Sequence, residues 1–357
     1  MKTWKVGLIG TGWWSDKHLD AWARIPNVEI AALCNRSRPK MENRAAEYGV
    51  PANRLYDDAD DMFANAGIDV VDIVTGPESH LAYVRKAAAA GKHILCQKPF
   101  APSYEEAEAM VLAAEEAGVR LMVTENWRWL MPFRIIRAAI ESGKLGKIRV
   151  ARYIHTDWYT PRMAPGIPLP QPFFRDMPHL LFYEMGAHWF DTWRSLFGTP
   201  KRLYAEVIRI SPYIAGDDSG IVTLGYDDWY GYMDMSWATR QKLENPPSEP
   251  VWPGNLEQMV IDGDRATLKL FTDGRIILIS QDGKSETVLA EKTWLDHGES
   301  HYLLSSHFIE CMETGKEFAT SGRDNLMTMA MIFGTYMSTE QHKVVTLQAV
   351  DFREGCL

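Results

Sequence analysis

The chain has little with which to bind metal or cross-link itself. Its 357 residues include four cysteines, Cys34, Cys96, Cys311 and Cys356, which lie far apart with no C-x-x-C pair. That spacing excludes a disulfide framework and a thiolate zinc site, and it reads as reduced thiols of a cytoplasmic protein. No apolar run approaches the ~18 residues that a membrane span requires. Lys2 and Lys5 precede Val6-Gly7-Leu8-Ile9, but that run stops at once in Gly10-Thr11-Gly12, too short for the apolar region of a signal peptide. Cations are scarce as well: 38 Lys and Arg face 47 Asp and Glu, a formal net charge of −9. Nucleic-acid binding needs a basic face and is not expected. What is plentiful is tryptophan, with 13 residues, many of them near the motifs below.

The length suggests two domains. Over residues 1–124, strand-like runs at 5–9, 29–33, 70–74, 93–96 and 121–123 alternate with helical stretches at 37–48, 80–90 and 104–117. Each of these helical stretches ends at a glycine (Gly49, Gly91, Gly118), and strands alternating with helices of this length imply a doubly wound parallel α/β sheet. From residue 125 to 357 the pattern changes. One helix at 132–142 precedes strand-like segments at 148–157, 202–210, 219–224, 231–237, 258–262, 267–270 and 275–279, with helices at 180–196, 302–313 and 326–338. Turn signals at Asp227-Asp228, Asp262-Gly263, Asp273-Gly274 and Asp282-Gly283 favour antiparallel hairpins. Two proline-rich loops stand out, at 161–178 and 246–253.

Three constellations carry chemistry. Gly10-Thr11-Gly12-Trp13-Trp14-Ser15 lies between a strand and a helix, where a dinucleotide pyrophosphate is held by a tight glycine turn and a helix N-terminus. Twenty residues on, Asn35 stands where an acidic residue would bind the ribose and repel a 2′-phosphate. With Arg36 and Arg38 following, the site accommodates NADP as well as NAD, although the arginines also read as a solvated helix start. Cys96-Gln97-Lys98-Pro99 ends a strand, the place where ligands bind in open α/β sheets. The Lys98 ammonium there can polarise a substrate oxygen, or as the free amine take its proton; taken alone, it reads more readily as a surface lysine before a proline turn. In the third constellation, spacings of four and three put Glu184, His188 and Asp191 on one helix face. His188 is a natural acid–base group that Glu184 can orient, and Asp191 offers a further hydrogen bond to substrate or, taken alone, fits a charged solvent face. No third ligand accompanies Glu184 and His188, so no metal is expected. The remaining histidines, His155 and His301 among them, default to structural or surface roles.

Together these motifs resemble the family of glucose–fructose oxidoreductase, inositol dehydrogenase and rhizopine-catabolism-type proteins. That family runs from an N-terminal G-x-G turn through Glu-Lys-Pro at the end of the fifth strand to an Asp-x-x-x-His helix. Here it reads Gly10-x-Gly12, Gln97-Lys98-Pro99 and Glu184-x-x-x-His188, with further matches at His18, Thr75-Gly76-Pro77, His80, Asn126-x-Arg128, Gly315-Lys316 and Asn325-Leu326. The resemblance covers nearly the whole chain. It implies a Rossmann domain over 1–124 and, over 125–357, an α+β domain with a large open, mostly antiparallel sheet that serves substrate binding and pairing into a homodimer or homotetramer. It also implies that NAD or NADP is contacted by Gly10, Gly12, Trp13, Trp14, Asn35, Arg36, Arg38, Thr75, Pro77, His80, Gln97, Lys98 and Asn126. Cys96-Gln97-Lys98-Pro99 with Glu125-Asn126-Trp127-Arg128-Trp129 looks most like the branch containing D-apiose dehydrogenases. Two departures stand out, Gln97 for glutamate and Glu184 for aspartate.

The implied reaction moves a hydride between nicotinamide and a hydroxyl of a sugar or polyol, aldose to lactone being favoured. Lys98 and His188 share the proton transfer and Glu184 orients. Lys98, Arg128, Trp127, Asp157, Glu184 and His188 bind substrate, with Trp129, Trp158, Tyr159 and Trp189 offering aromatic faces, although at least half of these tryptophans also read as core or dimer-interface residues. The same family resemblance leaves two rivals, a glycosidase that uses bound NAD transiently and a non-enzymatic sugar- or nucleotide-sensing regulator.

Overall fold

The computed structural model describes residues 2–239, 257–348 and 352; the second proline-rich stretch and Cys356 lie outside the described residues. In chain order the strands are β1 (Trp4–Ile9), β2 (Val28–Cys34), β3 (Leu55–Tyr56), β4 (Val70–Ile73), β5 (His93–Cys96), β6 (Leu121–Val123), β7 (Ile148–Thr156), β8 (Arg202–Ile208), β9 (Ser219–Gly225), β10 (Tyr230–Ser236), β11 (Glu257–Gly263), β12 (Ala266–Leu270), β13 (Ile276–Ser280), β14 (Glu286–Ala290) and β15 (Val345–Thr346). The helices are α1 (Ser15–Ala23), α2 (Arg38–Tyr48), α3 (Ala59–Asn65), α4 (His80–Ala89), α5 (Tyr104–Glu116), α6 (Met131–Glu141), α7 (Leu181–Glu184), α8 (Gly186–Phe197), α9 (His297–Thr314) and α10 (Gly322–Gln341). The described residues form two compact units. One holds the chain up to Trp129 together with His297–Met329; the other holds Leu130–Asp296 and the residues from Ala330 on.

The first unit is built on a parallel sheet of order β3-β2-β1-β4-β5-β6. The strand order reverses between β1 and β4, the switch point at which such sheets open a crevice. Val6, Leu8, Val70, Ile73, Leu95 and Met122 are fully buried or nearly so, as expected of strands covered on both faces. The unit is discontinuous in sequence because α9 brings Leu304, Phe308 and Ile309 into a core with Trp4, Val6 and Trp22. Helix α3, absent from the periodicity reading, is set by Asp58, whose Oδ1 accepts the Asp60 and Asp61 N–H groups at 2.7 and 3.3 Å. Strand β3 is only two residues long, below what alternation can reveal.

The second unit holds a nine-stranded sheet of order β14-β13-β12-β11-β7-β10-β9-β8-β15, antiparallel throughout except for the β7–β10 pair. Burial alternates along β7, where Ala151, Tyr153 and His155 point inward. On β8, β9 and β10 the opposite face exposes Ile208, Ile221 and Tyr230. The helix expected at 180–196 is in fact two. The turn tightens at Met185, whose carbonyl accepts both the His188 and Trp189 N–H groups at 3.0 Å, and Gly186, a poor helix former, follows it. Asp217 fixes the start of α7 by accepting the Leu180 and Phe182 N–H groups (2.8 and 3.1 Å) and the Tyr336 hydroxyl (2.9 Å).

Gly231, inside β10, makes room for α8. A Cβ there would lie 2.3 Å from the Trp193 ring and 2.9 Å from the Ala151 carbonyl. Trp193 is fully buried and donates Nε1–H to Tyr226 at 2.8 Å, so it cannot swing away without losing that bond. Gly231→Ala is therefore expected to destabilise the fold by roughly 1–3 kcal/mol, the cost of overpacking. Thermal unfolding measured by circular dichroism checks this; an unchanged midpoint would contradict it.

Candidate active site

The first unit supplies a nucleotide turn. Gly10 has φ +97°, and a Cβ there would meet the Val74 carbonyl at 2.2 Å, so only glycine lets β1 turn beside β4. A Cβ at Gly12 would meet nothing within 4 Å, so the backbone there stands open to a ligand. Between them the Thr11 hydroxyl is buried without a hydrogen-bond partner. Ser15 donates Oγ–H to the Gly12 carbonyl at 2.7 Å and is fully buried, which satisfies the need for a small third residue. An open glycine, an orphaned hydroxyl and the N-terminus of α1 fit a dinucleotide pyrophosphate.

Beside this turn lies a cavity of about 340 Å³ lined by Gly12, Asn35, Arg36, Ser37 and Lys40. Asn35 donates Nδ2–H to the Ser37 carbonyl at 3.1 Å. Arg38 is drawn to Glu42 (3.0 Å) and Asp57 (3.7 Å) and is absent from the lining, whereas Arg36 and Lys40 belong to it. Lys40 was not anticipated, although its spacing of four from Arg36 was the available signal. Trp13 is 62% exposed, while Trp14 turns inward, donates Nε1–H to His301 Nε2 at 3.2 Å and packs on His297.

Thr75, Pro77 and His80 follow β4. Thr75 Oγ1 lies 2.7 Å from Ser79 Oγ. His80 is fully buried, with Nδ1 3.0 Å from the Phe100 carbonyl and Nε2 3.0 Å from the Thr75 carbonyl. It thus braces two turns at the carboxyl edge of the sheet. At the end of β5, the Gln97 side chain accepts the Lys98 N–H at 2.7 Å, and the Lys98–Pro99 peptide is cis. Asn126, after β6, donates Nδ2–H to Ser300 Oγ at 2.7 Å. Trp127 is 5% exposed and packs on His297. Arg128 donates to the Ala319 carbonyl at 2.7 Å and faces Asp324 at 3.9 Å, tying this turn to the segment before α10. The buried thiols carry no chemistry here: burial pushes Cys34 up to about 12 and raises Cys96 well above the ordinary thiol value.

In the second unit Glu184 and His188 are buried at 9% and 5% exposure. Asp191 is fully buried, so the solvent-face expectation fails for it. Trp189 is also fully buried, against His155 and Phe182, and offers no face to a ligand. Its place in α8 points it at the sheet, something periodicity alone did not separate from a wall position. Asp157 accepts the Trp158 N–H at 2.6 Å and faces Arg162 at 3.6 Å. His155 meets Glu257 on the neighbouring strand at 2.5 Å. Their separation of 102 residues left no local signal for that pair.

These features define an NAD-binding oxidoreductase fold. Residues 4–125 match the family described as "Oxidoreductase family, NAD-binding Rossmann fold" and residues 133–269 match "GFO/IDH/MocA C-terminal domain". The chain belongs to the GFO/IDH/MocA oxidoreductase family. It is 34% identical to a D-apiose dehydrogenase of Paraburkholderia graminis over 98% of this chain and 92% of that one. It is 31% identical to a D-apiose dehydrogenase of Rhizobium rhizogenes over 97% and 98%. A crystal structure of an oxidoreductase from Agrobacterium radiobacter, in complex with NAD+, L-tartaric acid and magnesium, superposes with a TM-score of 0.86 at 29% identity, covering 98% of this chain and 99% of that one.

His80 gives the site an acid sensitivity. Burial holds its imidazole below the ordinary value near 6.5. The unfolded chain therefore takes up the proton first as pH falls, and the stability His80 contributes is complete above about 6.5 and lost below it. The thermal midpoint is expected to decline between pH 7 and pH 5. His80→Gln should cost about 1–2 kcal/mol at pH 7 and make that decline shallower. His93, His179 and His307, also lowered by burial, keep the remaining slope. Equal slopes in parent and variant would contradict the assignment.

Proposed function

We propose that the protein is an NAD(P)-dependent dehydrogenase of a monosaccharide-sized sugar or polyol, oxidising a ring or anomeric hydroxyl, with a lactone as the first product from an aldose. The observation that carries this reading is Lys98 at the carboxyl end of β5, its backbone held by Gln97, in a chain similar over its full length to D-apiose dehydrogenases. The first unit holds the cofactor and the second serves the substrate. When bound, the nicotinamide supplies the hydride acceptor or donor. Gly10, Gly12 and the start of α1 hold the pyrophosphate; Asn35, Arg36 and Lys40 take the adenosine ribose. Lys98 either polarises the substrate oxygen as an ammonium or, as the free amine, takes the hydroxyl proton and returns it in the reverse direction; His188 acts with it as an acid–base group, and Glu184 orients His188 or binds a substrate hydroxyl. The exposed sheet face bearing Ile208, Ile221 and Tyr230 serves pairing into a homodimer or homotetramer. The buried thiols at 34, 96 and 311 support a cytoplasmic setting.

Incubation with NAD or NADP and a panel of pentoses, hexoses, inositols and their derivatives, followed by reduced-nicotinamide absorbance, tests the reading. Turnover on at least one sugar is expected, and Lys98→Met should lower it ~10²–10⁴-fold with cofactor binding retained. Turnover confined to simple alcohols or hydroxy acids, glycoside cleavage without net reduction, or a Lys98→Met variant near parental rate would each overturn it.

The ribose cavity supports binding of both cofactors. Asn35→Asp should weaken NADP by ~1–2 kcal/mol through repulsion of the 2′-phosphate while sparing NAD. Titration by intrinsic tryptophan fluorescence reads both affinities. No detectable NADP binding in the parent, together with an unchanged preference in the variant, would refute it.

A further inference from the structure

The geometry points to Gln97 as a positioning residue with two tasks: it fixes the backbone that carries Lys98, and it sets the buried His18 as the neutral imidazole protonated on Nδ1. The first task rests on the proposed role of Lys98; the second does not.

Gln97 is 7% exposed, and its Oε1 accepts from two donors, the Lys98 N–H at 2.7 Å and the Thr124 hydroxyl at 2.6 Å. A backbone N–H can only donate, so the carboxamide oxygen is fixed on that side and the NH2 on the other. A flipped amide would set NH2 against N–H. The Gln97 Nε2 lies 3.0 Å from His18 Nε2. An amide nitrogen donates and does not accept, so His18 Nε2 must present its lone pair. The ring proton then sits on Nδ1, 2.9 Å from Asp72 Oδ2, which also accepts the Trp22 indole N–H at 2.7 Å.

The other groups around this chain suit an uncharged ring. His301 on α9 packs on His18 with ring centroids 4.6 Å apart and the rings tilted by 45°, and its Nε2 already accepts the Trp14 N–H. Cys96 on β5, under the field of Asp72 and fully buried, is held as a thiol. His18, Asp72, His301 and Thr124 are each 1% exposed or less, so solvent does not relieve a mismatched donor. A protonated His18 would neutralise Asp72 but turn an N–H toward the Gln97 NH2.

The family pattern has glutamate at this position. A carboxylate would still accept from Lys98 N–H and Thr124, but its second oxygen would also accept from His18, which then needs protons on both nitrogens. Glutamine in place of glutamate therefore removes one negative and one positive charge together. The net charge of the network is conserved while a cation disappears from the region behind Lys98.

The test uses the full chain labelled with 15N-histidine, with His18 assigned by loss of its signals in His18→Gln. At neutral pH long-range 15N–1H correlation should show His18 with one protonated nitrogen, Nδ1, and one bare nitrogen. Gln97→Glu should show both nitrogens protonated at the same pH. Gln97→Met removes the acceptor for Lys98 N–H and should lower kcat ~10–10²-fold, the scale of an ångström-level misplacement. Gln97→Glu, which keeps that acceptor, should restore kcat to within a few-fold of the parent. A parental His18 protonated on Nε2 or on both nitrogens, a single-tautomer His18 in Gln97→Glu, or a Gln97→Met enzyme with parental kcat would each overturn the proposal. Lys98→Met separates the two readings. Full activity in that variant removes the catalytic role of Lys98, while the His18 spectrum still decides the tautomer, whatever the enzyme turns over.

Discussion

Strands that all run the same way place every carboxyl end on one edge, and a sheet buried on both faces leaves that edge as its place for polar chemistry. The first unit is arranged by this constraint. Gly10, Asn35, Thr75, Gln97 and Asn126 follow β1, β2, β4, β5 and β6 respectively and are brought to one rim although they span more than a hundred residues of sequence. The fold thereby concentrates the turns, and the turns then have to be held still.

Buried polar side chains do that holding. His80 lies between the carbonyls of Thr75 and Phe100 and, neutral, donates its single N–H to one of them while packing against the other, so one imidazole fills the gap between the turn after β4 and the turn after β5. Gln97 links the turn after β5 to Thr124 after β6. Asn126 and Arg128 extend the series to Ser300 and Ala319. An unmade bond at such a site carries the full desolvation cost of the group left behind, so the network resists partial loosening. Residues read from motif matching as ligand contacts thus include several whose hydrogen bonds go to the protein itself.

The alternating first half was legible because its strands are apolar and its helices end at glycine; β1, β2, β4, β5 and β6 fall where the pattern puts them, within a residue or two. The β9–β10, β12–β13 and β13–β14 turns fall on Asp227-Asp228, Asp273-Gly274 and Asp282-Gly283, although β14 itself was not expected; Asp262-Gly263 ends β11, and the β11–β12 turn is Asp264-Arg265. Lost to sequence reading were elements too short for periodicity, such as β3, and long-range events. Nothing local announces that α9 returns to the first core or that His155 will oppose Glu257, and the break at Met185 had only Gly186 as its signal. At the turns, Gly10 and Gly12 were legible from backbone necessity alone, and the place of Lys98 at a strand end from the pattern of strands. Asp191 and Trp189 had two readings each because helical spacing groups residues by face without saying which face meets the sheet; burial removes the solvent face for Asp191 and the wall position for Trp189.

The proline-rich loop at 161–178 has one further property. Arg175 donates to the carbonyls of Met163, Ala164 and Ile167, at 2.9, 3.1 and 2.6 Å, closing the segment into a ring on itself. The carbonyl of the same Arg175 accepts the Ala215 N–H at 2.8 Å, and Met163 and Phe174 are buried, so the ring is pinned to the rest of the unit at both ends. Between those pins the arc from Pro165 to Phe173 is largely exposed, and there length and composition can vary at little cost to the fold.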